Sequence, residues 1–197
     1  MTQARSLQAG SLTLVGALSL AAALLMLPAS GRSATHVPQP IDACALLSAS
    51  EVSTVLGMTV ESGTRHDDGA TSVGAYSSTC IWKVRNARLL SHDPNASLGG
   101  ADFAILNAFS WPTAAAAEAF LRSFWTAAQN HEIPMRPVSL HLGDDSLWWG
   151  DGVAVRRGAV SFGVSVVVNG ADRDRRRVWE ESLAGRILAH IASEPSR

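Results

Sequence analysis

The stretch VAVRRGAVSFGVSVVV, Val153 to Val168, decides how this chain is to be read. Arg157-Gly158 is a hairpin-turn signal between two apolar runs, VAVR and AVSFGVSVVV. In the second run Val160, Phe162, Val164, Val166 and Val168 fall on one side, with Ser161, Gly163 and Ser165 on the other. Period-two alternation of this kind is a strand with one bulky face and one small, polar face.

Similar patterns extend in both directions. STCIWKVR sets Cys80, Trp82 and Val84 against Thr79, Ile81, Lys83 and Arg85, and MTVESG is a further short β-like segment. ADFAILNAFS is apolar on both sides, as a covered central strand would be. Three helices separate these runs. Ser48-Ala49-Ser50-Glu51 is a capping box, followed by a helix from about Ala49 to Leu56 that Gly57 ends. Pro112 marks the start of a second, with Ala117, Phe120, Leu121, Phe124 and Ala128 in one stripe. The third runs from about Arg173 to Ala192, with Trp179, Leu183, Ile187 and Ile191 on its buried side. The expected fold is α+β: an antiparallel sheet of five to six strands flanked by three helices, in the order α-βββ-α-βββ-α. The repeated helix-plus-strands unit hints at duplication, but the halves share no residue-level identity.

The N-terminus has Arg5, then an uncharged apolar run from Leu12 to Leu27, then Pro28 and the small residues Ala29-Ser30-Gly31. This is the three-part pattern of a secretory signal peptide over residues 1–31. A retained anchor is the competing expectation, because Ala9 to Leu27 nearly reaches the roughly 20 residues a spanning helix needs. Residues 32–41, with two prolines, form a linker, and 42–193 one domain. The expected location is extracytoplasmic: periplasm, cell envelope or secreted. Without Arg5 the chain carries 15 basic and 17 acidic side chains. That balance generates no long-range field for nucleic acid. A monomer with no stable membrane span after cleavage is expected.

Only two cysteines are present, Cys44 and Cys80. In an oxidising compartment an even number pairs, and here a single intramolecular pairing exists. A redox or nucleophilic role would call for Cys-x-x-Cys or a flanking His, and zinc would need more sulfur or clustered His. A structural disulfide is therefore expected.

Asp42, Cys44, Leu46, Leu47, Glu51, Val52, Leu56 and Gly57, followed by Cys80 and Trp82, make a D-x-C-x-L-L … E-V … L-G … C-x-W pattern. It resembles the small secreted proteins and lipoproteins of actinobacteria and some other bacteria that are grouped as domains of unknown function. The LGDDSLWW…VAVRRGAVSFGVSV block resembles the Gly-Asp turn and hairpin of the same group. The resemblance implies a cell-envelope protein, with a fold in some members like that of the photosystem protein PsbP, and no established activity. Ala43 stands where the pattern often has proline. No cysteine follows the apolar run directly, so the residue that a lipid would modify is missing.

The search for chemistry gives few candidates. His66-Asp67-Asp68 and His141-x-x-Asp144-Asp145 each offer a nitrogen and two oxygens to a metal, but acidic turns also simply cap loops, and no metal or other cofactor is expected. Ser91-His92-Asp93 has triad residue types without triad spacing, and no Gly-x-Ser-x-Gly elbow accompanies it. Arg173, Arg175, Arg176 and Arg177 alternate with Asp172 and Asp174 and precede Glu180 and Glu181, a mixed run expected on a solvated helix start. Trp148-Trp149 is the most informative pair, because adjacent strand residues point to opposite faces. Either both are covered by helices, or one is exposed beside Asp145 and Asp151 and suits a sugar or peptide ligand. The leading functional expectation is a non-enzymatic domain that binds a small ligand or an envelope protein through Trp148, Trp149, Asp145 and Asp151. The alternative is an envelope hydrolase using Asp144 and Asp145.

Overall fold

A computed structural model describes residues 39–85, 102–133 and 135–193. The proposed signal peptide, most of the linker and Ser91-His92-Asp93 lie outside them. The described chain is α+β, with three helices and one seven-stranded antiparallel sheet. The strands are β1 (Thr64–Ala70), β2 (Tyr76–Lys83), β3 (Phe103–Ser110), β4 (Val138–Ser139), β5 (Asp145–Trp148), β6 (Val153–Arg157) and β7 (Val160–Val167). Their order across the sheet is β1-β2-β3-β7-β6-β5-β4. The helices are α1 (Ala49–Leu56), α2 (Ala114–Gln129) and α3 (Arg173–Ser193).

The hairpin expected at Arg157-Gly158 joins β6 and β7, with Val155 opposite Phe162 and Val153 opposite Val164. β7 also pairs with β3 along its whole length, from Phe103↔Val167 to Ser110↔Val160. Phe162, Val164 and Val166 are buried on the face that also carries Cys80, Trp82, Ala104, Leu106, Val153 and Val155. Against it pack Val52 and Leu56 of α1 and Trp179, Leu183, Ala184 and Ile187 of α3. This is the main core.

The sheet has seven strands rather than five to six, and one was misplaced in the sequence. MTVESG is not a strand: it contributes only an isolated bridge, Val60↔Val84. The first strand lies just beyond it, at Thr64–Ala70. It is an edge strand, exposed almost throughout, whose side chains are polar on both faces. Period-two hydrophobicity cannot mark such a strand, because neither of its faces enters a core. Asp67 and Gly69 bracket a register shift, which bends the open edge.

α1 is fixed from both ends. Ser48 accepts from the Glu51 backbone N–H, while Glu51 reaches back to the Ser48 N–H at 2.9 Å. Gly57 closes the helix in the left-handed conformation. The Ser48 hydroxyl, with His190 of α3 next and then the Ser48 backbone, draws the Glu51 carboxyl down to about 2. His190 Nε2 lies 2.9 Å from Glu51, so the cap also ties α1 to α3.

Cys44 and Cys80 form a disulfide with 5.1 Å between their Cα atoms. It fastens the segment entering α1 to the middle of β2, where the Ala43 N–H also donates to the buried Ser78 hydroxyl at 3.1 Å. In the chain-entropy account a bridge across 36 residues stabilises by roughly 4 kcal/mol. Gly63 lies directly over it. A Cβ there would come within 2.5 Å of the Cys80 sulfur and 2.7 Å of Trp82 Nε1. Gly63→Ala is therefore expected to destabilise by about 1–3 kcal/mol, and the paired change Cys44→Ser with Cys80→Ser by roughly 4 kcal/mol. Chemical denaturation under non-reducing conditions checks both.

Candidate functional site

The alternation of β5 and β7 carries through the sheet and separates Trp148 from Trp149. Trp148 points to the α3 face and is 5% exposed. Its indole N–H donates to Glu180 Oε2 at 3.0 Å. Trp149 points to the α2 face, is half-buried, and packs against Phe124 with the rings tilted and their centroids 5.0 Å apart. The other two acidic members of the expected set are distributed differently. Asp145 stands at the opposite end of β5, opposite Arg156 and exposed. Asp151 sits in the β5–β6 turn and makes a 3.8 Å ion pair with Arg176 of α3. Trp148 and Asp151 thus belong with α3 and Trp149 with α2, while Asp145 shares the face of Leu147 but stands exposed at the far end of β5.

The remaining acidic groups are occupied in turns. Asp144 Oδ2 accepts the Gly158 N–H at 2.6 Å and meets Arg156 at 3.3 Å, which locks the β6–β7 turn. Asp67 accepts from Tyr76 and Arg65, and Asp68 accepts from Ser77. Among the described residues no three His, Cys, Asp or Glu side chains gather as a metal site. Three contacts at the Arg-rich start of α3 are made within the segment itself. Asp172 caps the Arg175 N–H at 2.7 Å, Arg177 pairs with Glu181, and Arg175 lies over the Trp179 ring.

Two features stand out. One is the α2 face of the sheet. α2 settles over β5 and β6, burying Leu147 and Ala154 beneath Leu121. Its side is lined by a row of rings: Trp111 and Phe109 meet Phe120 at 5.3 and 5.2 Å, Phe120 meets Phe124 at 5.6 Å, and Phe124 meets Trp149. Beside this row the sheet presents two cross-strand lines. His66, Thr79, Asn107 and Gly163 make one, and Thr64, Ile81, Ile105 and Ser165 the next. The Thr79 hydroxyl donates to Asn107 Oδ1 at 2.8 Å, leaving the Asn107 amide donors directed elsewhere. Trp149 lies close over Gly152 and Gly163. A Cβ on Gly152 would approach the Trp149 ring to 2.5 Å and Ser165 Oγ to 2.3 Å. Among the described residues, no helix other than α2 packs on this face.

The other feature is Glu180, which the sequence placed in a solvated charge run. It is 1% exposed. Its Oε2 takes the Trp148 indole and its Oε1 takes the Val166 backbone N–H at 3.1 Å. β6 begins at Val153, opposite Val164. Val166 therefore has no β6 partner, and the carboxylate continues the ladder in its place. Burial pushes Glu180 up to about 7 against the two hydrogen bonds and Arg176, with Asp151 adding to the rise. A periodic signal for it exists. Glu180, Leu183, Ala184 and Ile187 follow helical spacing, which puts Glu180 on the apolar stripe.

No family model matches the chain, and no curated protein matches it.

Between the ordinary value of 4.5 and about 7 the folded chain holds a proton on Glu180 that the unfolded chain has lost. Stability is expected to fall as pH rises through that window, by about 3 kcal/mol in all, and to level off above it. Denaturation midpoints across the window check this, and Glu180→Gln is expected to flatten the profile. Trp148→Phe removes one of the two donors and is expected to cost about 1–3 kcal/mol and to raise the Glu180 midpoint further.

Proposed function

We propose that this chain is an extracytoplasmic, non-enzymatic binding domain of the bacterial cell envelope, and that its α2 face takes a neutral, ring-bearing ligand, an envelope glycan. The observation that carries the reading is the row of half-buried rings, Phe109, Phe120, Phe124 and Trp149, beside a floor in which Thr79, Asn107, Gly163 and Ser165 adjoin the apolar Ile81 and Ile105. Aromatic faces stack on the C–H faces of sugar rings, while an amide such as Asn107 and hydroxyls such as Thr79 and Ser165 exchange hydrogen bonds with sugar hydroxyls. The floor between Thr79 and Ser165 carries no ionised group, which favours an uncharged ligand over an anionic one. Nothing in the overall charge attracts nucleic acid.

The disulfide supports export, because such bonds persist in oxidising compartments. No helix among the described residues is long and apolar enough to cross a membrane. The N-terminal pattern supports a cleaved leader, and the Asp42–Cys44–Cys80–Trp82 pattern supports kinship with the small secreted proteins of actinobacteria. Asp144 serves the β6–β7 turn, which argues for a fold role there rather than hydrolysis.

Titration of the protein with two neutral probes, an N-acetylglucosamine oligomer and a mannose oligomer, followed by tryptophan fluorescence, tests the reading. Saturable quenching is expected with at least one, and Trp149→Ala or Phe124→Ala is expected to weaken it at least about tenfold with the fold retained. Absence of binding to both probes, or native affinity in Trp149→Ala, overturns the ligand assignment. Turnover of either probe that disappears in Asp144→Asn or Asp145→Asn overturns the non-enzymatic one.

A further inference from the structure

We propose that Glu180, by gaining or losing a proton, changes how the turn carrying Trp149 is held, and so tunes the ligand face on the far side of the sheet. The inference rests on the reading of that face as the binding surface, and it adds a regulatory input to it.

The turn Trp149–Gly152 closes with the Trp149 N–H donating to the Gly152 carbonyl at 3.1 Å. It hangs between two anchors on the opposite side of the sheet. Trp148, just before it, is bonded to Glu180. Asp151, within it, is paired with Arg176, one helical turn before Glu180 on α3. Glu180 therefore touches one anchor directly and lies one helical turn beyond the cation of the other.

The two anchors answer the same proton in opposite directions. With Glu180 ionised, its bonds from Trp148 and Val166 are charge-assisted and strong. A second negative charge then lies near Asp151, and its attraction for Arg176 opposes the Asp151–Arg176 pair. With Glu180 protonated, Arg176 serves Asp151 alone, and the bond from Trp148 goes to a neutral, weaker acceptor. The turn is thus drawn to α3 through Trp148 in one state and through Asp151 in the other. Trp149 lies between them, in contact with Phe124 and close over Gly163.

The surrounding charges allow this. On α3 itself Arg177 lies over the Trp148 ring at 5.1 Å and pairs with Glu181. β6 turns Arg156 and Arg157 toward Asp144 at the other end of the strand. From α1, Glu51 is engaged with His190, about three turns further along α3. β5 and β7 offer Glu180 only the Trp148 indole and the Val166 backbone. Arg176 and Asp151 are the charges that share its surroundings.

The test follows the indole N–H signals of isotope-labelled protein from about pH 5 to about pH 9 without ligand, assigned with Trp148→Phe and Trp149→Phe. The Trp148 and Trp149 signals are expected to move together with one midpoint. In Glu180→Gln both are expected to stay still. In Asp151→Asn the midpoint is expected to fall, because a neighbouring negative charge is gone, and Trp149 is expected to lose most of its movement while Trp148 keeps its own. A Trp149 signal that stays still while Trp148 titrates overturns the coupling, as does a Trp149 signal that still titrates in Glu180→Gln. If Glu180→Gln does not fold, the Asp151→Asn result decides alone. The titration needs no sugar, so failure of both oligosaccharides to bind counts against the ligand class and leaves the proton coupling to its own measurement.

Discussion

The two unlike faces of β7 are the constraint on which the rest of the structure depends. Phe162, Val164 and Val166 on one side give α3 and α1 enough apolar surface to seal a continuous core. Ser161, Gly163 and Ser165 on the other side give a helix almost nothing to bury against. α2 buries Leu121 against Leu147 and Ala154 of β5 and β6, which supply that surface. A single strand at the centre of the sheet thereby makes one face a core and the other a shallow, aromatic-edged floor. The same alternation in β5 sends Trp148 into the core and Trp149 to the floor.

The second consequence of this arrangement is a polar residue inside the core. β6 starts too late to pair with Val166, and a backbone donor so deep must find an acceptor. Glu180 supplies it, and in doing so brings an ionisable group into apolar surroundings. A glutamine would satisfy the geometry less well, because one of its two terminal atoms donates, whereas both approaching partners here are donors. The carboxyl is thus the side chain that fits two converging N–H groups, and its sensitivity to protons accompanies that fit.

Much of the architecture could be read from residue patterns, for reasons that also explain what could not. α1 is bounded by a capping box and a glycine, both local devices whose geometry is set within a few residues. The β6–β7 hairpin and the buried face of β7 follow from strict alternation, and the disulfide from a count of two cysteines. β1 escaped because TRHDDGA has no face to hide, so only its hydrogen bonding to β2 defines it. β4, at the far edge of the sheet, has only two residues and carries too little pattern. At the candidate site, Trp148-Trp149 was visible as a pair of opposite orientation. What each ring meets depends on helices distant in the chain. Glu180 was hidden by its neighbours Arg176, Arg177 and Glu181, whose charges gave that stretch a surface character even though its spacing matches the buried stripe of α3.

The bridge between Cys44 and Cys80 also fixes the route that mechanical load takes. Tension applied to the N-terminal end of the domain reaches Cys44 and passes through covalent bonds straight into β2. α1 and β1 lie within the loop that the bridge spans and are bypassed. The pulling force is delivered at Cys80, within the antiparallel ladder that β2 forms with β3, and the exposed edge strand is spared from being peeled away first.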